Sequence, residues 1–178
     1  VARDAGTRAA EQLLARHIGR ARQQLMRRLP PAWAAALLRA DLRRLAWTFA
    51  GDGEVVDYVS LGCPHYSIDQ VRDAASLLEG RKVHGDSRLL VWTSPAVREL
   101  SDRAGYSRTI ELSGARLVTS SCPLVSETWP RDASTLVFDS LKQAHYIRPE
   151  TKATVLFGSM AQCIDAAVAG RWERRSTR

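Results

Sequence analysis

Strand-like and helix-like segments alternate along this sequence from residue 54 onwards, and this alternation constrains the fold more than any other feature. Residues 55–61 are rich in valine and end in leucine, which is typical of a β-strand. Further strand-like segments lie at residues 88–93, 115–120, 134–139 and 153–157. Because helix signals separate these segments, we predict an α/β domain with a mainly parallel sheet flanked by helices.

Serines mark several predicted helix starts. Ser67 with Gln70, and Ser159 with Gln162, have the spacing of a capping box, in which the two side chains accept each other's backbone N–H. Ser94 directly precedes a proline, which is tolerated at the first position of a helix. We therefore predict a helix after each of these three serines.

The positive charge lies at the two ends of the chain. The 178 residues have a formal net charge of +7, and residues 1–50 alone hold ten arginines against three acidic residues. Between these ends, acidic residues outnumber basic ones. We therefore divide the chain into a basic helical N-terminal extension (1–50), an α/β domain (51–172) and a basic tail (173–178).

The basic extension has two interpretations. Its helical patterns, at residues 7–29 and 33–50, favour helices that pack through an apolar stripe and expose arginine. The alternative is a basic nucleic-acid-binding protein, whose binding would fall steeply with salt. Residues 1–32 lack the aromatic side chains on which bases stack, so we favour packing and expect no nucleic-acid partner.

Targeting signals and cysteine usage indicate the compartment. The sequence has no run of 18 apolar residues, and its first residues lack the apolar region of a signal peptide. We therefore expect a cytoplasmic protein with no membrane partner. Three cysteines cannot all pair in disulfides, and in a reducing compartment free thiols favour metal binding or catalysis.

The three cysteines follow predicted strands. Cys63 and Cys122 come after the first and third strands, and Cys163 lies in the first turn of the helix after the fifth. The carboxyl ends of parallel strands meet at one edge of a sheet, so we expect all three thiols there. Helix N-termini lower thiol pKa values, which favours the metal-binding thiolate. The alternative is three unrelated buried cysteines.

Three thiolates would leave one coordination position of a metal centre for water or substrate, so that the metal acts as a Lewis acid. His65 lies two residues after Cys63. We consider it as a fourth ligand, a proton donor or a substrate contact.

Four ordered motifs resemble the aconitase X family, over about residues 42–172. One is Cys122 after a strand, which matches the middle cysteine of that family. The others are D-x-V-x-L-G-C-P-H-x-S at residues 57–67, S-x-K-x-x-H-Y at 140–146 and G-S-x-x-x-C-x-x-A-A-x-x-G at 158–170. The resemblance implies an aconitase-like domain.

The resemblance also implies a reaction and a cofactor. Aconitase X enzymes are hydro-lyases; some dehydrate cis-3-hydroxy-L-proline, and archaeal members dehydrate mevalonate 5-phosphate. They hold an iron–sulfur cluster or a mononuclear iron through three cysteines. By similarity the ligands here are Cys63, Cys122 and Cys163.

Four further side chains are candidates for the elimination of water from a small hydroxy acid. Ser140 or Lys142 would hold the substrate carboxylate, and His65 or His145 would protonate the departing hydroxyl. Two structural alternatives remain open. In these alternatives Ser140 only caps its helix, and His145 is a histidine at the helix end with satisfied hydrogen bonds and no role in the reaction.

The length implies partners. The catalytic subunit of the family is much longer than this chain, and a small swivelling domain or subunit supplies a catalytic serine base. We therefore expect a C-terminal, metal-holding part that works with the upstream part of the large subunit and the small subunit. The alternative is an iron–sulfur-binding fragment without catalysis.

Overall fold

The computed structural model describes residues 30, 32, 51–126 and 129–173. The described stretch from residue 51 onwards belongs to the compact unit Leu45–Arg178. Both helices predicted for the basic extension, and residues 174–178 of the predicted tail, lie outside the described residues. No helix within the described part of the chain is long and apolar enough to cross a membrane.

A five-stranded, wholly parallel sheet forms the centre of the domain, as the sequence predicts. Its order is β3-β2-β1-β4-β5, so that the order reverses between β1 and β4. The strands are β1 (Tyr58–Tyr66), β2 (Arg88–Thr93), β3 (Arg116–Thr119), β4 (Thr135–Phe138) and β5 (Thr154–Phe157). In sheets of this kind, ligands bind outside the carboxyl ends of the strands at the reversal point.

Helices connect the strands. They are α1 (Ile68–Leu78), α2 (Pro95–Ala104), α3 (Tyr106–Leu112), α4 (Pro123–Ser126), α5 (Leu141–Ile147) and α6 (Met160–Ala169). Both predicted capping boxes form, at Ser67 before α1 and at Ser159 before α6. The sequence did not predict α3, because Gly105 reads as the end of one helix, whereas the chain turns there and begins another.

Apolar residues cover both faces of the sheet, as expected for parallel strands. On one face, Val59 and Leu61 of β1 pack with α1, α3 and α6. On the other face, Tyr58 and Phe138 pack with α5. The two cores fix the helices against the sheet, and through them the segments at its carboxyl edge.

Strand β1 continues further than the sequence predicts. Residues 62–66 read as a loop, but β1 pairs with β2 both at Leu61, opposite Val91, and at Tyr66, opposite Thr93. The Thr93 hydroxyl also donates to the Tyr66 carbonyl at 2.7 Å. The residues between these two pairs therefore form a bulge, which we call the β1 bulge (residues 62–65).

Gly62 begins this bulge with a backbone φ of +95°, in the left-handed region. A Cβ atom at this position would collide with the backbone carbonyl oxygen of Trp92 on β2. Only glycine therefore meets both requirements, the positive φ and the close approach to β2.

We predict that Gly62→Ala destabilises the protein by about 3 kcal/mol or more, since a steric collision adds to the backbone penalty. Gly80 is the matched control, because its φ is +69° but an added Cβ would meet nothing within 4 Å. Gly80→Ala should cost only about 1 kcal/mol. Urea unfolding of the two variants measures the difference, and equal losses would contradict the role assigned to Trp92.

Candidate functional site

The β1 bulge presents two of the predicted site residues at the reversal point of the sheet. Cys63 is partly buried, whereas Pro64 and His65 are exposed. The Cys63–Pro64 peptide bond is cis. The bulge therefore turns Cys63 and His65 out of the strand and towards the edge where the sequence predicts a site.

Asp139 joins the two ends of the bulge. It directly follows β4, and its Oδ1 accepts the Gly62 N–H at 3.1 Å. Its Oδ2 accepts the Tyr66 hydroxyl at 2.5 Å. Burial raises the pKa of the Asp139 carboxyl, and the two hydrogen bonds oppose that rise. Burial and then the charge of Asp139 raise the pKa of Tyr66.

Neither Asp139 nor Tyr66 is predicted as a site residue from the sequence. The available signal was an aspartate immediately after a four-residue strand that is buried throughout. Such a position lies at the carboxyl edge of a parallel sheet, where polar groups tend to serve a site.

His65 connects the β1 bulge to the segment that carries the second cysteine. Its Nε2 lies 2.7 Å from the backbone carbonyl oxygen of Ser121, and because a carbonyl only accepts, Nε2 is the donor. Cys122 follows at once, partly buried, and its carbonyl accepts the backbone N–H of Ser126 in α4. The structure thus brings the first and second cysteine segments together.

Cys163 lies behind this edge, in the first turn of α6, and is fully buried. Burial raises the pKa of its thiol well above the usual value, and the negative charge of Asp139 adds to the rise. The sequence prediction of a lowered pKa at a helix start is wrong for Cys163, because loss of hydration outweighs the helix dipole.

The segment after β4 holds the remaining candidates. Ser140 is buried and caps α5, since its hydroxyl accepts the Gln143 N–H at 3.3 Å. Lys142 and His145 are exposed on α5, and the His145 ring packs edge-on against Tyr146 with centroids 5.6 Å apart. Ser140 therefore caps its helix, and the site roles of Ser140, Lys142 and His145 stay predictions.

A buried polar contact anchors α5 to the sheet. Ser60 of β1 accepts hydrogen bonds from Trp92 Nε1 at 3.1 Å and from Gln143 Nε2 at 3.3 Å. Within the described part of the chain, Gln143 Oε1 has no hydrogen-bond partner. These residues, which the sequence pattern does not mark, fix the start of α5 beside the reversal point.

The donor chemistry of the edge suits iron, but the ligands are not assembled in this structure. Cys63, Cys122 and Cys163 are all free thiols, the ligand type of iron–sulfur centres. A bound metal deprotonates a thiol outright, which would offset the burial of Cys163. Within residues 51–126 and 129–173, however, no three His, Cys, Asp or Glu side chains converge as a metal site.

Comparisons with known proteins agree on one family. The sequence profile of the aconitase X third domain matches residues 56–169. The chain is similar to cis-3-hydroxy-L-proline dehydratase of Pseudomonas aeruginosa, at 38% identity over 122 residues, which is 65% of this chain and 20% of that protein. It is also similar to the phosphomevalonate dehydratase large subunit of Methanocaldococcus jannaschii, at 31% identity over 62% of this chain and 27% of that protein.

A solved structure is similar as well. The holo-form of Thermococcus kodakaraensis aconitase X matches with a TM-score of 0.62 and 29% identity, over 72% of this chain and 33% of that chain. The chain therefore spans only about a fifth to a third of the length of these relatives. The matched profile covers more than half of the 178 residues, so the chain belongs to the aconitase X family and carries its third domain.

Proposed function

We propose that this chain is the cysteine-bearing part of a hydro-lyase that eliminates water from a small hydroxy acid. The observation that carries the proposal is the hydrogen bond from His65 to Ser121, which joins two cysteine segments at the reversal point of an aconitase X third domain. Because the chain spans about a fifth of its dehydratase relative, activity requires further domains.

Cys63, Cys122 and Cys163 would hold the iron or iron–sulfur group of this family. When bound, that group supplies Lewis acidity for the departure of hydroxide, which is a poor leaving group. The binding of three thiolates requires the Cys163 thiol to lose its proton, which full burial opposes in the metal-free chain. We expect metal uptake therefore to be coupled to proton release.

The chain's own residues supply the proton and the charge for the elimination. A carbon–oxygen bond breaks and the neighbouring carbon loses a proton, so one acid and one base are needed. We assign the acid to His65, whose exposed ring keeps its Nε2–H on the Ser121 carbonyl and would give a proton to the departing hydroxyl from Nδ1. Lys142, an exposed cation after β4, is our candidate for holding the substrate carboxylate. The base comes from the partner domains.

Two substrates are supported by the relatives. The dehydratase of cis-3-hydroxy-L-proline has the higher identity, 38%, and is our first candidate. The phosphomevalonate dehydratase large subunits, at 31% to 37% identity, support mevalonate 5-phosphate as the second. Their description as large subunits also supports a small subunit as a partner of this chain.

We predict that anaerobically purified chain binds iron through its cysteines. Replacement of Cys63, Cys122 or Cys163 by serine should lower the iron content at least about tenfold, as loss of a ligand does in metal sites. His84, which lies outside the candidate site, gives the control variant His84→Ala, with unchanged iron. Iron and sulfide analysis measures the outcome.

Wild-type chain without iron would contradict the proposed cofactor. Iron that persists in the triple cysteine variant would contradict the proposed ligands.

We predict that His65→Ala lowers kcat for cis-3-hydroxy-L-proline about 10²- to 10⁴-fold, the usual contribution of a general acid. The assay uses the chain combined with the upstream and small-subunit parts of an aconitase X enzyme. His145→Ala is the competing variant, because His145 is the other candidate acid, and His84→Ala, outside the candidate site, is the control with unchanged kcat.

A larger loss in His145→Ala than in His65→Ala would reassign the acid. Turnover by the isolated chain would contradict the requirement for partner domains.

A further inference from the structure

One carboxylate binds both ends of the segment that carries Cys63 and His65. The two oxygens of Asp139 accept different donors, the backbone N–H of Gly62 and the hydroxyl of Tyr66. Asp139 belongs to the segment after β4, whereas both donors belong to β1. The contact therefore crosses the reversal point of the sheet and ties the start of the bulge to its end through one side chain.

The β1 bulge depends on such side-chain contacts. Between the pairs at Leu61 and Tyr66, β1 advances by five residues while β2 advances by two, so the register of the sheet is interrupted there. Regular pairing cannot then fix the conformation of Cys63 and His65. The hydrogen bonds to Asp139 and the bond from His65 to Ser121 do so instead.

We propose that Asp139 is a positioning residue, which holds Cys63 and His65 in place at the sheet edge through Gly62 and Tyr66, before any cofactor or substrate binds. Its relevance to catalysis rests on the proposed function, but the positioning itself is a property of the chain alone. Tyr66 is its partner in this role, since its hydroxyl supplies one of the two hydrogen bonds.

The chain contains a matched control for Asp139. Asp57 lies at the other end of the same two strands, where its Oδ2 accepts the backbone N–H groups of Ser134 at 2.7 Å and Thr135 at 2.8 Å. Asp57→Ala thus also removes an aspartate that links β1 to the β4 segment. It leaves the β1 bulge untouched.

The test measures how fast iodoacetamide alkylates Cys63 in the full-length, metal-free chain, with each cysteine quantified by peptide mass spectrometry. We expect Tyr66→Phe, which keeps the ring and the Asp139 charge, to accelerate alkylation about threefold to tenfold, the factor for one lost hydrogen bond. Asp139→Ala should accelerate it more, and Asp139→Asn, with one acceptor oxygen left, should be intermediate.

The faster alkylation expected in the Asp139 variants has to be distinguished from the effect of a general loss of stability. Two references are used: the Asp57→Ala variant, and wild-type chain in enough urea to match the free energy of unfolding of Asp139→Ala. In both, iodoacetamide should alkylate Cys63 at a rate within about twofold of that of untreated wild-type chain, because local opening is separate from global unfolding. Tyr66→Phe also covers the case in which Asp139→Ala fails to fold, since it removes only one hydroxyl.

Two results would overturn the proposal. One is equal acceleration by the Asp57 and Asp139 variants at matched stability, which would make Asp139 an ordinary stabilising residue. The other is acceleration by the Asp139 variants but not by Tyr66→Phe, which would assign the effect to charge. Absence of iron in the wild-type chain would contradict the proposed function and would leave this result unaffected.

Discussion

The parallel direction of all five strands is the constraint on which the rest of the domain depends. Parallel strands must be joined by crossover connections, which contain helices here, and every carboxyl end lies at one edge. Strand order reverses between β1 and β4, so the connections that follow these two strands lead away from each other at one point of that edge. The β1 bulge and Asp139 lie at this point, on either side of the reversal.

At this edge the regular pairing of β1 with β2 is interrupted, and side chains of the bulge are exposed there. The bulge leaves Cys63 partly buried and His65 exposed, while Gly62 and Tyr66 stay buried beneath them. Contacts from β2 and from the segment after β4 replace the lost pairing. Catalysis by orientation requires reactive side chains that are held in place by a well-packed, hydrogen-bonded backbone, which is the arrangement seen here.

Local signals in the sequence predicted much of the fold, and tertiary contacts explain what they missed. Ser67 and Ser159 cap the helices that follow them because capping depends on residues only three positions apart. The continuation of β1 to Tyr66 depends instead on Thr93 and Asp139, distant in sequence. The raised pKa of Cys163 likewise follows from burial, which a helix-start pattern does not reveal.

We propose that the three cysteines of this domain hold one iron centre. Anomalous diffraction at the iron edge, from crystals of the full chain purified and reconstituted without oxygen, tests it most directly. We predict an iron peak within bonding distance of the Sγ atoms of Cys63, Cys122 and Cys163. A peak bound elsewhere, or three thiols without iron beside them, would contradict it.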